Sequence, residues 1–329
     1  MTQIAAEPVP APEPHVPEFD AVSSTQVEGR SPWQLFWSRF RKDRVALAGL
    51  AFIALLVTIA LAAPLIAELV GHGPNDRFQR EMTDEFGLPK GPTGEFWFGA
   101  DQVGRDVFVR IAYGARTSLV VALGATGAAL SVGIVLGMMA GYRGGWVDTV
   151  VSRTVDIILS MPVLLFAIGI VAACSTTAEG CLGGLVRPGF RLVIFVIALF
   201  SWPYVARIVR GQTLSIREKE FIEASRSLGA GGRRIMFREV LPNLMAPIIV
   251  YGTLLIPTNI LFEAALSFLG LGVPQTIPSW GRMIADGGAL FDVAWWLMLF
   301  PGLFLLATTL AFNLVGDGLR DALDPRTQA

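Results

Sequence analysis

Six long apolar stretches limit what this chain can fold into more than any other feature of its sequence. Each has about the 20 apolar residues needed to cross the roughly 30 Å hydrocarbon layer of a bilayer. Backbone amides in lipid can be satisfied only within the chain, so every stretch is expected to be a helix. The sequence therefore predicts an all-α, polytopic transmembrane bundle of about six spans within residues 45–320, at about 45–70, 117–141, 151–173, 190–209, 243–270 and 294–316.

The composition agrees with a membrane protein. Charged residues make up 16% of the chain, against about 25% in soluble domains, and the mean hydropathy is +0.56. The net charge of −1 carries little information, because the charges are distributed unevenly along the sequence.

The two ends of the chain are polar. Residues 1–30 are rich in Pro, Ala and Glu and are predicted to form a disordered cytoplasmic tail without the apolar core of a secretory signal. Residues 31–44 interleave aromatic and basic side chains, which predicts an amphipathic helix at the membrane surface. Residues 321–329 are predicted to be a second cytoplasmic tail.

The basic residues predict the orientation. With the N-terminus inside, seventeen of the 26 Lys and Arg residues fall in inner segments and nine in outer ones. Most of the nine lie in one long outer loop, where the positive-inside rule is weaker. An even number of spans then places both termini in the cytoplasm of a bacterial cell and the chain in its inner membrane.

A polar, glycine-broken segment at 212–240 separates the fourth and fifth spans. Gln212–Leu228 has the composition of a helix, and Gly229 suits its C-cap because glycine adopts a left-handed turn at little cost. Residues 233–240 predict a second short helix, which Pro242 ends. A solvated loop is the simpler interpretation, but a cytoplasmic helix-turn-helix that couples to a partner explains the composition better.

Six residues of this region carry a family resemblance: Glu223, Ala224, Ser225, Gly229, Leu241 and Pro242. Their order and spacing resemble the EAA motif of ABC importer permeases, whose coupling helix sits in a cleft of the ATPase subunit. Ser225 stands where that family usually has a third alanine, and Glu239 stands where it usually has isoleucine.

Four more segments narrow the resemblance to the OppC/DppC-type permeases of peptide importers, over residues 31–326. They are FGADQVGRDVFVRIAYGARTSL (98–119), GYRGGWVDTVVSRTVDIILSMP (141–162), LSFLGLGVPQTIPSWGRMI (266–284) and NLVGDGLRDALDPR (313–326).

The resemblance implies a set of partners. They are a second homologous permease, two ATPase subunits that carry ATP and Mg, an extracytoplasmic substrate-binding protein that delivers di- or oligopeptides, and the lipid bilayer. Nickel or sugar is an alternative solute, and an uncoupled channel or scaffold is a less favoured function. The chain has no phosphate-binding loop and no catalytic or metal-binding motif, so neither an enzyme activity nor a cofactor in this chain is expected, nor is nucleic acid.

Several polar or aromatic residues fall in or near the predicted spans. Glu263 is expected to face the bundle and hold the outer loop through Arg282 or backbone amides, although an interfacial carboxyl that reaches water is an alternative. Trp280 is expected in the aromatic belt with Trp295 and Trp296, and with Glu263 and Arg282 it is an outer-gate candidate. Arg153 and Asp156 share a helix face and predict a local ion pair at the inner interface.

Two further patterns concern packing and covalent structure. Gly133, Gly137 and Gly141 form consecutive GxxxG pairs, which predict close helix contact, most simply within the bundle. Cys174 and Cys181 lie in one predicted outer loop, where they form a disulfide or remain unpaired.

Overall fold

The computed structural model describes residues 32–176 and 179–323, and within these ranges the chain forms helices and no β-strand. The predicted all-α class is therefore confirmed. The tail at 1–30, residue 31 and residues 324–329 lie outside the described part. The helices are α1 (Pro32–Phe40), α2 (Arg44–Val70), α3 (Gln79–Met82), α4 (Val107–Arg143), α5 (Gly145–Ser160), α6 (Val163–Cys174), α7 (Phe190–Arg217), α8 (Glu220–Ser227), α9 (Gly232–Arg234), α10 (Leu241–Phe268), α11 (Trp280–Gly288) and α12 (Trp296–Leu323).

Five helices, α2, α4, α7, α10 and α12, are long and apolar enough to cross a bilayer. Three of them extend well beyond the predicted boundaries. Helix α4 begins at Val107 rather than at about 117, α7 continues to Arg217, and α12 continues to Leu323. These additions are polar or mixed, so hydropathy alone could not assign them to helices.

The predicted third span at 151–173 differs from a single helix. It consists of α5 and α6, which are bent by 91° across a short break. Met161 at the break is extended, with φ −79° and ψ 141°, because the ring of Pro162 disfavours helical geometry in the residue before it. The predicted span is therefore two helices, and the bent pair counts as the sixth span only if both halves together cross the membrane.

Three glycines bring α4 and α7 into close contact. A Cβ atom on Gly133 would lie 2.5 Å from Cβ of Val205, and one on Gly137 would lie 2.6 Å from the carbonyl oxygen of Ala206. A Cβ on Gly141 would lie 2.7 Å from Cβ of Thr213. The prediction of close intramolecular packing at these glycines is confirmed, and we call this contact the glycine seam.

The bundle has two distinct ends. The cap end consists of residues 71–106, 175–176, 179–189 and 269–295, in the segments between α2 and α4, α6 and α7, and α10 and α12. The opposite end carries residues 218–240, which we call the elbow. Near the elbow end, Gly318 of α12 packs against Ala46 of α2.

We predict that Gly137→Ala lowers the stability of the bundle, because its methyl group would collide with backbone atoms of α7. Overpacking of this kind costs about 1–3 kcal/mol. Thermal unfolding of the purified protein in detergent measures the effect.

Gly127 is the matched control on the same helix, since nothing lies within 4 Å of a Cβ built there. Gly127→Ala should be neutral or should stabilise the helix by about 0.5–1 kcal/mol. Equal melting temperatures for the two variants would contradict the described seam.

Candidate functional site

The elbow begins where α7 ends at Arg217. The chain leaves helical geometry at Lys219, with ψ 146°, and resumes in α8 at Glu220. The predicted single helix over 212–228 is therefore wrong. Helix α8 packs inward through Ile222, which is fully buried, and a straight continuation of α7 would carry that side chain away from the core.

A left-handed glycine ends α8, as the sequence predicted. Gly229 has φ +82°, and its neighbour Ala230 donates its backbone N–H to the carbonyl of Ser225 at 3.1 Å. This conformation is cheap only for glycine. The chain then enters α9 and a π-helical turn, Ile235–Val240, that leads without interruption into α10.

Four of the six motif residues lie in the elbow, and the other two lie at the start of α10. Glu223 and Ala224 are exposed on α8, and Ser225 is half-buried beside them. Leu241 and Pro242 form the first turn of α10, beyond the π-helical turn. Pro242 lies within this continuous helical segment and does not end a separate helix, contrary to the prediction.

The elbow is fastened to three long helices. Ile222, Ile235 and Val240 belong to one buried apolar cluster with residues of α4, α7 and α10. The guanidinium of Arg217 donates to the carbonyls of Gly141 and Tyr142 at 3.2 and 3.4 Å, which ties the end of α7 to the end of α4. A displacement of the elbow would therefore move the ends of these helices directly.

Large apolar side chains remain exposed on the elbow. Leu228 is 89% exposed, and Phe221 and Phe237 are also exposed. They lie among charged residues such as Glu223 and Arg226. An apolar patch with a charged rim is the usual composition of a protein interface.

A buried carboxyl lies at the other end of the bundle. Glu263 of α10 is fully buried and accepts hydrogen bonds from the hydroxyls of Ser118 at 3.1 Å and Ser267 at 2.7 Å. Ser279, the N-cap of α11, is a third hydroxyl partner. This arrangement excludes the alternative in which Glu263 reaches water at the interface.

Arg282, one of the two alternatives predicted to bind Glu263, is not its partner. Arg282 pairs with Asp286 one turn along α11, at 3.0 Å, and leaves the carboxyl to the serines. Glu263 nevertheless contacts the outer loop, because Ser279 belongs to it and also accepts the backbone N–H of Arg282 at 3.3 Å.

A second polar network lies one helical turn away from Glu263 and was missed in the sequence. Asn259 is fully buried, accepts from the hydroxyl of Ser201 at 2.9 Å and donates to that of Thr126 at 2.8 Å. It therefore joins α4, α7 and α10. The i, i+4 spacing of Asn259 and Glu263 is the signal that could have revealed it.

The sequence of this chain matches two known protein families. Residues 133–329 match the family described as binding-protein-dependent transport system inner membrane component. Residues 31–86 match the N-terminal TM domain of oligopeptide transport permease C.

The chain belongs to this family of transport permeases.

Named relatives are similar in sequence to the permease over almost its whole length. It is 40% identical to the dipeptide transport system permease protein DppC of Alkalihalophilus pseudofirmus, over 98% of each chain. It is 38% identical to the oligopeptide transport system permease protein OppC of Haemophilus influenzae, over 93% of each chain. Among solved structures, an inward-facing MetNI methionine ABC transporter matches with a TM-score of 0.54 and 19% identity, covering 65% of the permease and 96% of that chain, which supports the fold.

The outer tryptophans of the permease do not form the predicted aromatic belt. Trp280 is fully buried, packs against Gly114 and donates its indole N–H to the carbonyl of Ile111 at 3.2 Å. Trp296 is also buried and donates to the carbonyl of Ala100 at 3.1 Å. Trp295 is exposed. Glycine opposite Trp280 creates the space that the sequence pattern could not show.

The predicted ion pair between Arg153 and Asp156 is wrong. The carboxylate of Asp156 accepts a hydrogen bond from Arg207 of α7 at 2.8 Å, whereas Arg153 is exposed. The neighbouring Asp148 pairs with Arg210 of α7. Pairing between helices therefore replaces pairing along α5.

The open question of the two cysteines is resolved. Cys174 and Cys181 form a disulfide that closes the loop between α6 and α7 at the cap end.

We predict that Glu263→Ala destabilises the permease more than Glu263→Gln. Alanine leaves the serine hydroxyls without an acceptor and opens a cavity, which together cost about 2–4 kcal/mol. Glutamine keeps the volume and one acceptor oxygen. Thermal unfolding in detergent measures the difference.

Glu68→Ala is the control, because Glu68 is exposed on α2. It should change the melting temperature little. If Glu263→Ala and Glu68→Ala were equally stable, the described hydrogen bonds would be contradicted.

Proposed function

We propose that this permease forms half of the translocation pathway of an ATP-driven importer for di- or oligopeptides. The family relation supports the transport function, and relatives named for dipeptide, oligopeptide and glutathione transport support a peptide as the solute. The permease itself performs no catalysis. ATP and Mg bind to separate subunits, and the sequence has no phosphate-binding loop with which this chain could replace them.

The elbow is the observation that carries this proposal. It exposes Phe221, Leu228 and Phe237 outward and inserts Ile222, Ile235 and Val240 into the cluster that joins α4, α7 and α10. An ATPase subunit that gripped the exposed side would displace the buried side with it. Closure of two ATPase subunits on ATP would then tilt α7 and α10 and switch the pathway between its two faces.

The size of a pathway for peptides implies that further subunits take part. Five long helices and one bent pair are too few to enclose a route for a peptide, so a second homologous permease supplies the other half. Two ATPase subunits bind the elbows of the two permeases, and an extracytoplasmic binding protein delivers the solute to the cap end.

Glu263 and Trp280 are proposed to hold the outer gate. Both fasten α11 at the cap end, Glu263 through Ser279 and Trp280 through Ile111 of α4. Arg282 pairs with Asp286 on the same helix, α11, and is therefore not included in the proposed gate. Equal peptide uptake by Glu263→Gln and Glu263→Ala would remove the gating role.

The proposed orientation puts the elbow and both termini in the cytoplasm of a bacterial cell. The disulfide supports it, because disulfides persist on the oxidising side of the inner membrane and the cap end carries Cys174–Cys181.

We predict that the reduced cysteine pair is labelled from outside. After mild reduction, a membrane-impermeant maleimide should modify Cys174 and Cys181 in spheroplasts and not in sealed inside-out vesicles. The Cys174→Ser/Cys181→Ser variant is the control for background. Labelling only in inside-out vesicles would reverse the topology.

We predict that Gly229→Ala lowers ATP-driven peptide uptake severalfold. A side chain in the left-handed region costs about 1–2 kcal/mol, so the turn between α8 and α9 would shift or loosen. Glu223→Arg should have the same effect by reversing an exposed charge on the proposed ATPase-facing helix. Uptake into proteoliposomes with the complete importer measures both.

Gly231→Ala is the matched control. Gly231 has φ −69° and open space around its Cβ position, so alanine fits there without strain. Normal uptake by all three variants would contradict the coupling role of the elbow.

A further inference from the structure

We propose that one polar face of α7, together with Asp156 of α5, lines an aqueous pathway that presents charges to a zwitterionic peptide. This inference rests on the proposed importer function. It assigns the pathway wall to particular residues, which neither the sequence nor the comparisons do.

The second half of α7 has a row of exposed positions, whereas the first half exposes only Phe190 and Arg191 at its start. The positions of this row recur every three or four residues and so form a single face. Only one of them is aliphatic. They are Tyr204, Arg207, Ile208, Gly211, Gln212 and Ser215.

Other spans expose a different surface. In their middle turns the large exposed side chains of α2 and α12 are Leu or Val, as expected where a helix meets lipid, whereas polar side chains such as Glu68 and Asn313 are exposed nearer to the helix ends. Leu61 of α2 and Leu306 of α12 lie near the middles of their helices and are strongly exposed. At a similar depth α7 exposes Tyr204 and, one turn on, Arg207. The composition of this face therefore indicates contact with water.

The ion pair on this face supports the same conclusion. Asp156 and Arg207 are joined by one hydrogen bond of 2.8 Å, and each side chain is 57% exposed. An ionised pair exposed to hydrocarbon would be costly, and charged groups within spans normally face a water-filled cavity. Arg207 lies ten residues before the end of α7, which is about 15 Å into the bundle from the elbow.

The neighbouring pair serves as an internal comparison. Asp148 accepts two hydrogen bonds from Arg210, one of 2.7 Å, and both side chains are less exposed than those of Asp156 and Arg207. That pair fastens α5 to α7. The single, more exposed bond of Asp156 and Arg207 can open at less cost, so that Arg207 receives a peptide carboxylate and Asp156 a peptide ammonium group. Arg153, exposed on α5, adds a further positive charge nearby.

Cysteine accessibility tests the pathway wall. The chain has two cysteines, and both are in the disulfide, so a single introduced cysteine is the only reactive thiol. Tyr204→Cys and Arg207→Cys sample the polar face, and Leu61→Cys and Leu306→Cys sample lipid-facing surfaces. A membrane-impermeant methanethiosulfonate is applied to inside-out vesicles that contain the complete importer.

We expect the cysteines at 204 and 207 to react at least about tenfold faster than those at 61 and 306, because the reactive thiolate forms only in water. A high concentration of dialanine should slow the labelling of Tyr204→Cys, which keeps Arg207, and the C-terminal amide of dialanine should protect less because it lacks the carboxylate that Arg207 would bind.

The outcomes separate the two proposals. Slow labelling at 204 and 207 in variants that still take up peptide in proteoliposomes would overturn the pathway wall and leave the importer. Fast labelling without any ATP-driven uptake by the unmodified protein would retain the wall and overturn the importer. Fast labelling with equal protection by dialanine and its amide, or with none, would overturn the assignment of Arg207 to the carboxylate.

Discussion

The close contact between α4 and α7 is the constraint on which the rest of the structure depends. Gly133, Gly137 and Gly141 let the two backbones approach to distances that no side chain would permit. This contact fixes one side of α7 against the bundle and leaves its opposite side exposed. It also places the ends of both helices together at the elbow, where Arg217 bridges them. Without the seam, α7 could not both carry the elbow and keep its opposite side exposed.

The buried polar groups of α10 are bound by hydroxyl side chains of neighbouring residues. The buried carboxyl of Glu263 and the buried amide of Asn259 are satisfied by hydroxyls from Ser118, Ser201 and Thr126, with no cation among the partners described above. Hydroxyl groups are short and weakly polar, so they satisfy an acceptor at a lower desolvation cost than an arginine would. The two charged pairs that join α5 to α7, Asp156–Arg207 and Asp148–Arg210, are by contrast partly exposed.

Hydropathy and glycine chemistry made part of this architecture predictable. The long apolar runs located five spans, Gly229 marked the left-handed turn, and the spacing of Gly133, Gly137 and Gly141 indicated a close contact, because each of these signals is local in sequence.

Several of the wrong predictions required knowledge of distant neighbours. Trp280 is buried because Gly114 leaves room for its indole ring. Asp156 pairs with Arg207 because α5 packs against α7. The break at Pro162 is local, but its 91° bend depends on how α5 and α6 pack. Sequence spacing describes one helix at a time and cannot supply such contacts.

In the proposed mechanism, the elbow transmits the motion of an ATPase into α7 and α10. The most direct measurement replaces residues 219–231 with a Gly/Ser tether of equal length and follows ATP-driven peptide uptake in proteoliposomes with all subunits present. The account predicts that uptake is abolished while the purified permease keeps its folded bundle. Undiminished uptake through the tethered chain would contradict it.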